Sequence, residues 1–320
     1  MKTRITELLG IEYPILMGGM QWISRAEFVA AVSQAGGLAF ISSSSFQEPE
    51  ELRAEIRKAR RLTQKPIGVN ISMLPDVSSG EKTMDYLQVA VEEQIPVIET
   101  AGRSPEDLVP VAKRHGVKVI HKVPAARFAV KAEKAGVDAV VIVGYEAGGH
   151  PGMDKVGTMV VLQNTVQAVT VPVIAAGGIC NGQSMLAALV MGAEGVTMGT
   201  RLLATEESPI HSKCKDWMLT AKETDTIITQ KSIRNAFRCV RNPHAYQVLG
   251  MEQEGTTLKE LLPHISGRHA LSAWYEGDME RGQLAMGQDV GLIHDVPMIR
   301  ELFLRMETEM EEARDRIAAF

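Results

Sequence analysis

Cysteine is scarce: Cys180, Cys214 and Cys239 are the three in the chain. An odd number at wide spacing provides neither a disulfide framework nor a C-x-x-C metal or redox site, which fits a reducing cytoplasm. Long apolar runs are also missing. No stretch of about 18 uncharged apolar residues occurs, and the opening MKTRITELLGIEYP has no signal-peptide core, so neither export nor membrane insertion is expected. Basic tracts are lacking too, and a net charge of -5 with a pI near 6.0 gives no field to attract nucleic acid. The eight histidines show neither H-x-x-x-H nor H-E-x-x-H spacing, which argues against a metal centre. Finally, no G-x-G-x-x-G follows an early strand, because the glycines of PILMGGMQW are adjacent.

What remains is an ordinary globular composition, 45% hydrophobic and 23% charged, with a mean hydropathy of -0.02. Eight short apolar, often β-branched runs stand out, each bounded by Gly, Pro or polar residues. They are Pro14 to Gly19, Gly37 to Ser42, Pro66 to Ser72, Pro96 to Gly102, Lys118 to Val123, Ala139 to Gly144, Pro172 to Gly178 and Gly195 to Thr200. Between them lie segments of helical periodicity, such as Pro49 to Leu62, Glu81 to Gln94, Pro105 to His115 and Ala125 to Ala135. Strands apolar on both faces and separated by helices mean a covered parallel sheet, and eight such units predict a (β/α)₈ TIM barrel ahead of a doubly wound sheet. From Leu203 to about Arg281 the rhythm breaks, whereas Gln283 to Phe320 is patterned again and ends in a charged helix. We therefore expect a barrel from residues 1–205 and 283–320, carrying a smaller, mainly helical inserted cap at 206–282. That cap would either shield a reaction from water or be a packing appendage.

In such a barrel chemistry belongs where the strands end. Strand one ends at Gly18, Gly19, Met20 and Gln21, and strand three at Asn70 and Ser72. Strand five carries His121 and Lys122, and strand six leads to Glu146, Gly148, Gly149 and His150. Strands seven and eight end in Ala176-Gly177-Gly178 and Gly199-Thr200. Paired glycines let the backbone approach a phosphate and turn N–H groups toward it, so these two ends read as a phosphate cup, although glycines end many strands. Asn181 fits an N-cap better than a ligand contact. A lysine at an apolar strand end needs a partner, either a cofactor or a carboxylate such as Glu99 or Glu146. His150, in a glycine-rich loop, is a candidate acid or base. Cys180 reads as a small buried hydrophobe, and most of the 17 methionines as core filler.

At PILMGGMQW, GVNIS, HK, EAGGHPG, AAGGI and MGTRLLAT the chain resembles the nitronate monooxygenase family, once called 2-nitropropane dioxygenases. The likeness extends through PIH at Pro209 to His211 and the GQDVGLIHDVP stretch. That family also includes NAD(P)H:quinone reductases and FMN-dependent enoyl-acyl-carrier-protein reductases. The resemblance implies FMN over Gly19, Met20 and Gln21, with Asn70 and Ser72 near its ring or ribityl chain and Lys122 beside the isoalloxazine. It places the phosphate at Ala176, Gly177, Gly178, Gly199 and Thr200, runs Gly148 and Gly149 past the flavin, and makes His150 the catalytic histidine. The implied substrate is a small molecule: an alkyl nitronate oxidised with oxygen first, a quinone or enoyl thioester second, the latter two with NADH or NADPH as donor. Met73 to Lys82 is the candidate loop for the nicotinamide, and a homodimer is the expected assembly. The alternative from another class is a non-redox barrel binding a phosphorylated ligand, an aldolase, isomerase or sensor, which would be colourless.

Overall fold

The computed structural model describes residues 1–73 and 82–319. Eight parallel strands close into a barrel in chain order: β1 (Ile15–Met17), β2 (Leu38–Ser42), β3 (Gly68–Met73), β4 (Val97–Gly102), β5 (Lys118–Val123), β6 (Ala139–Val143), β7 (Val173–Ala176) and β8 (Gly195–Met198). Closure is made by Leu16 pairing with Thr197, which joins β1 to β8. Each strand coincides with one of the eight apolar runs. The glycines that ended the seventh and eighth runs fall just beyond β7 and β8, where they form the rim.

Alternation along each strand divides two cores. Leu16, Leu38, Phe40, Val97, Ile120, Ala139, Val141 and Ile174 fill the interior, with Ile5 and Leu9 of the first helix, Arg4–Leu9, packed against them. Gly68 makes room for this filling, because a Cβ there would lie 2.3 Å from Phe40. The opposite face, including Val69, Ile98, Val119 and Val140, packs against the ring of helices. Helix Pro49–Leu62 shows why such a ring forms: Leu52, Ile56 and Ala59 recur at helical spacing on its buried side, and Glu48 and Glu51 make a capping box.

After β8 the chain runs through helix Ser212–Met218, an antiparallel pair of β9 (Thr226–Thr229) and β10 (Phe237–Val240), and helices Pro243–Gln253, Leu258–Ile265 and Arg268–Glu276. The ribbon was not anticipated; TIIT and FRCV are short strands whose pairing depends on each other. The last helix, Ile299–Ala318, returns to the barrel and packs on helix Gly182–Val190 so closely that a Cβ at Gly182 would lie 2.2 Å from the Met306 carbonyl oxygen. Among the described residues no helix is long and apolar enough to cross a membrane.

Candidate active site

The C-terminal mouth of the barrel has a polar floor centred on Glu99. Register places Asn70 of β3 beside Glu99 of β4, and both point inward. The Asn70 amide donates to Glu99 Oε2 at 2.7 Å, the Gly19 N–H donates to the same oxygen at 3.1 Å, and Lys122 Nζ lies 3.1 Å from Oε1. Ser72 Oγ donates to Asn70 Oδ1 at 3.2 Å. Glu99 has no solvent exposure, whereas Lys122 keeps 24% of its side chain open to the mouth. A Cβ at Gly19 would lie 2.3 Å from the Asn70 side chain, which leaves no room for a side chain there, and one at Gly18 would lie 2.8 Å from Lys122 Nζ and displace the ammonium. Of the two carboxylates open to Lys122 on sequence grounds, Glu99 is its partner. Glu146 instead accepts the Thr158 N–H at 2.9 Å and caps helix Thr158–Ala168.

The same register separates His121 from Lys122. His121 points outward into the helical layer, where its Nδ1 lies 2.8 Å from Thr100 Oγ1 and burial lowers its pKa to about 4. Met20 reaches toward the end of β8, its sulfur 3.8 Å from where a Cβ on Gly199 would be. Gln21 turns away from the cluster and donates to the Ser44 carbonyl at 2.9 Å.

Beyond β7, Gly177 and Gly178 adopt φ values of +100° and +74°, a region side chains rarely enter. The Gly177 carbonyl oxygen lies 2.8 Å from the Thr158 hydroxyl, which turns the peptide. Thr200, just beyond Gly199, uses its hydroxyl to accept the Gly287 N–H at 2.9 Å. Asp289 also bonds Thr200, and burial raises its pKa to about 7. Thr197 of β8 holds a buried hydroxyl oxygen with no partner among the described residues. Asn181 is the N-cap of helix Gly182–Val190, accepting the Ser184 N–H at 2.9 Å. Cys180 is buried, and burial pushes its thiol up to about 12, against thiolate formation.

On the rim stands the loop that carries His150. Gly148 packs on the backbone of Met286 and Gly287, and Gly149, at φ +77°, makes an antiparallel bridge with Arg238 of β10. The Arg238 guanidinium donates to the Tyr145 carbonyl at 2.9 Å and to Thr226 Oγ1 at 2.9 Å, so the ribbon grips the loop at both ends. His150 stacks edge-on against Phe237, with centroids 4.9 Å apart, and its Nε2 lies 3.2 Å from Asn235 Nδ2. The His150 side chain is exposed on the rim, and the surrounding chain shifts its pKa downward. A second tie joins the mouth to the segment above: Trp22 Nε1 donates to the Gly267 carbonyl at 2.9 Å, and Tyr275 Oη to the Trp22 carbonyl at 2.7 Å.

Sequence reasoning missed Asn235, Phe237 and Arg238. The one available signal was a basic residue inside the apolar run FRCV. The loop expected to meet a nicotinamide, Met73 to Lys82, falls for residues 74–81 outside the described residues. Among the described residues no group of three or more His, Cys, Asp or Glu side chains is placed to hold a metal ion.

Fold and mouth together define a (β/α)₈-barrel enzyme with a glycine-built rim and a buried ion pair in its floor. Comparison gives the family: the nitronate monooxygenase model matches residues 2–308, and the chain belongs to that family of oxidoreductases. It is similar to (3aS,4S,5R,7aS)-5-hydroxy-7a-methyl-1-oxo-octahydro-1H-indene-4-carboxyl-CoA dehydrogenase of Rhodococcus jostii (strain RHA1), at 32% identity covering 94% of each chain. A probable nitronate monooxygenase of Staphylococcus aureus (strain Newman) is 34% identical over 75% of this chain and 79% of its own. Among solved structures, FabK from Thermotoga maritima superposes with a TM-score of 0.93 at 37% identity, covering 100% of this chain and 99% of its own.

Proposed function

We propose that this protein binds FMN in the mouth of the barrel and oxidises alkyl nitronates with oxygen. The observation that carries the reading is the pair of glycine-built strand ends at Gly177-Gly178 and Gly199-Thr200, on the same mouth as Lys122 and His150. The residues fit the group. The positive-φ glycines leave backbone without side chains where a phosphate would sit, and Thr197 of β8 keeps a buried hydroxyl that has no partner among the described residues.

In this reading Ala176, Gly177, Gly178, Gly199 and Thr200 would hold the phosphate, while the backbone of Gly19, Met20 and Gln21 and the side chains of Asn70 and Ser72 would line the ribityl chain and ring, the Gln21 side chain staying on Ser44. Gly148 and Gly149 would let the loop backbone approach the flavin. FMN held by these residues would supply the redox chemistry between substrate and oxygen. Lys122, held by Glu99, would present its ammonium to the flavin. His150, beside Phe237 and Asn235, would donate a hydrogen bond to a nitronate oxygen and position the substrate. The segment at 206–282, tied down through Trp22 and Arg238, forms a cap that excludes water.

A second reading has NADH or NADPH as donor and a quinone or enoyl thioester as acceptor. It is favoured by the Rhodococcus relative, whose name is that of a carboxyl-CoA dehydrogenase and which matches 94% of the chain. The visible spectrum of the purified protein, taken without oxygen, tests both. Bleaching of a flavin band by an alkyl nitronate and not by NADH or NADPH is the expected result. Bleaching by either nucleotide puts the reductase first, and a colourless protein that takes up no FMN overturns the flavoenzyme reading.

A further inference from the structure

A chain of amides runs from the ribbon to His150, and its direction is set at the far end. Thr229 Oγ1 lies 3.3 Å from the Phe237 carbonyl oxygen, which can only accept, so the hydroxyl hydrogen points there. Thr229 Oγ1 is therefore the acceptor for Gln283 Nε2 at 2.7 Å. With its nitrogen so used, Gln283 turns Oε1 to Gln230 Nε2 at 2.6 Å. Gln230 in turn offers Oε1 to Asn235 Nδ2 at 3.4 Å, and that same nitrogen points its second hydrogen at His150 Nε2, 3.2 Å away. Flipping any one amide sets oxygen against oxygen or N–H against N–H at its neighbour.

The turn that carries this chain is itself held. Glu252 of helix Pro243–Gln253 accepts the Gln230 N–H at 2.7 Å and the Ser232 N–H at 2.8 Å, and the Asn235 N–H donates back to the Gln230 carbonyl. Gln230 and Arg234 sit at φ +59° and +57°, backbone states that persist only where the surroundings fix them.

We propose that Thr229, Gln283, Gln230 and Asn235 form a directed relay that holds His150 in its neutral Nδ1–H tautomer, with Nε2 occupied as an acceptor. His150 then meets a substrate as a hydrogen-bond donor through Nδ1. The relay suits substrates whose reacting oxygen already carries charge or carbonyl character. A neutral nitroalkane is not served, because its carbon proton must go to a bare imidazole nitrogen, and Asn235 occupies the bare one. Asn235 is a positioning residue, as are Gln230 and Gln283 behind it. The proposal rests on the placement of His150 in the active site made above.

Nitrogen-15 NMR of histidine-labelled, flavin-loaded protein reads the tautomer directly. His150→Gln identifies the His150 signals by their loss. The expected spectrum of the unaltered protein has a protonated-type shift at Nδ1 and an unprotonated-type shift at Nε2, steady through neutral pH. Asn235→Asp, whose oxygens only accept, is expected to exchange the two assignments, with thermal melting to show that it folds. A proton on Nε2 in the unaltered protein overturns the relay, whatever the variant does. The role of His150 fails separately: unchanged turnover of His150→Asn with full flavin content removes it from the reaction and leaves the tautomer measurement standing.

Discussion

Glu99 and Lys122 face each other inside the barrel, Oε1 to Nζ at 3.1 Å, with the carboxylate fully buried and the ammonium open to the mouth. Asn70 and the Gly19 N–H satisfy the second carboxylate oxygen, so among the described residues Oε1 depends on Lys122. Removing one partner from a buried pair strands a charge and costs on the order of 3 kcal/mol, whereas removing both with matched volume costs little. Lys122→Met is thus expected to destabilise the protein by about 3 kcal/mol, and adding Glu99→Gln to recover most of that loss. Urea unfolding of the two single variants and the double variant measures the coupling. Additive losses would mean that the two charges act independently.

Gly177 sits at φ +100°, and a Cβ there would lie 3.1 Å from Thr158 Oγ1 and 3.2 Å from the Ala147 nitrogen. Gly177→Ala imposes backbone strain of about 1–2 kcal/mol and pushes the peptide out of its present orientation. FMN affinity, followed by the quenching of flavin fluorescence, is expected to fall at least about tenfold, equivalent to about 1.4 kcal/mol. An unaltered affinity would place the phosphate elsewhere in the mouth.

The barrel was legible because its strands are apolar on both faces and its strand-end glycines are paired, two signals that survive without any tertiary knowledge. Lys122 was legible as a lysine in need of a partner, but spacing could not choose between Glu99 and Glu146. Strand register chooses, since it sets Asn70 against Glu99 on one inward face while Glu146 turns aside to cap a helix. His121 and Lys122 looked like one unit in the sequence and stand on opposite faces of β5. The grip on His150 was not legible at all. It comes from Asn235, Phe237 and Arg238, distant in the chain, which reach Gly149 and His150 only through a ribbon whose strands define each other.

Arg238 tests that grip. It is 4% exposed and makes its hydrogen bonds to Tyr145 and Thr226 while pairing its backbone with Gly149. Arg238→Met leaves the Tyr145 carbonyl without its donor, at a cost of about 2 kcal/mol, and frees the loop that aims His150. Flavin content is expected to hold, since the residues proposed for the phosphate lie at the ends of β7 and β8, away from the ribbon. Turnover is expected to drop by about tenfold or more from lost positioning. Activity assays paired with flavin absorbance separate the two effects, and loss of flavin in step with activity would show that the ribbon supports the cofactor site instead.

His121 gives a prediction in pH. Burial lowers its pKa from 6.5 to about 4, partly opposed by its bond to Thr100. Between those values the unfolded chain holds a proton that the folded chain refuses, so stability from this group is complete above pH 6.5 and drains away as pH falls toward 4. The full effect is about 3 kcal/mol at the acid end of the window. His121→Gln removes the titration, so its unfolding free energy is expected to fall less between about pH 7.5 and about pH 4.5 than that of the unaltered protein. Carboxylates with lowered pKa values, Glu55 and Asp295 among them, also lose stability in acid, but they are common to both proteins and cancel in the difference. Equal slopes for the two proteins would mean that His121 is protonated in the folded state, which its buried place beside Thr100 does not accommodate.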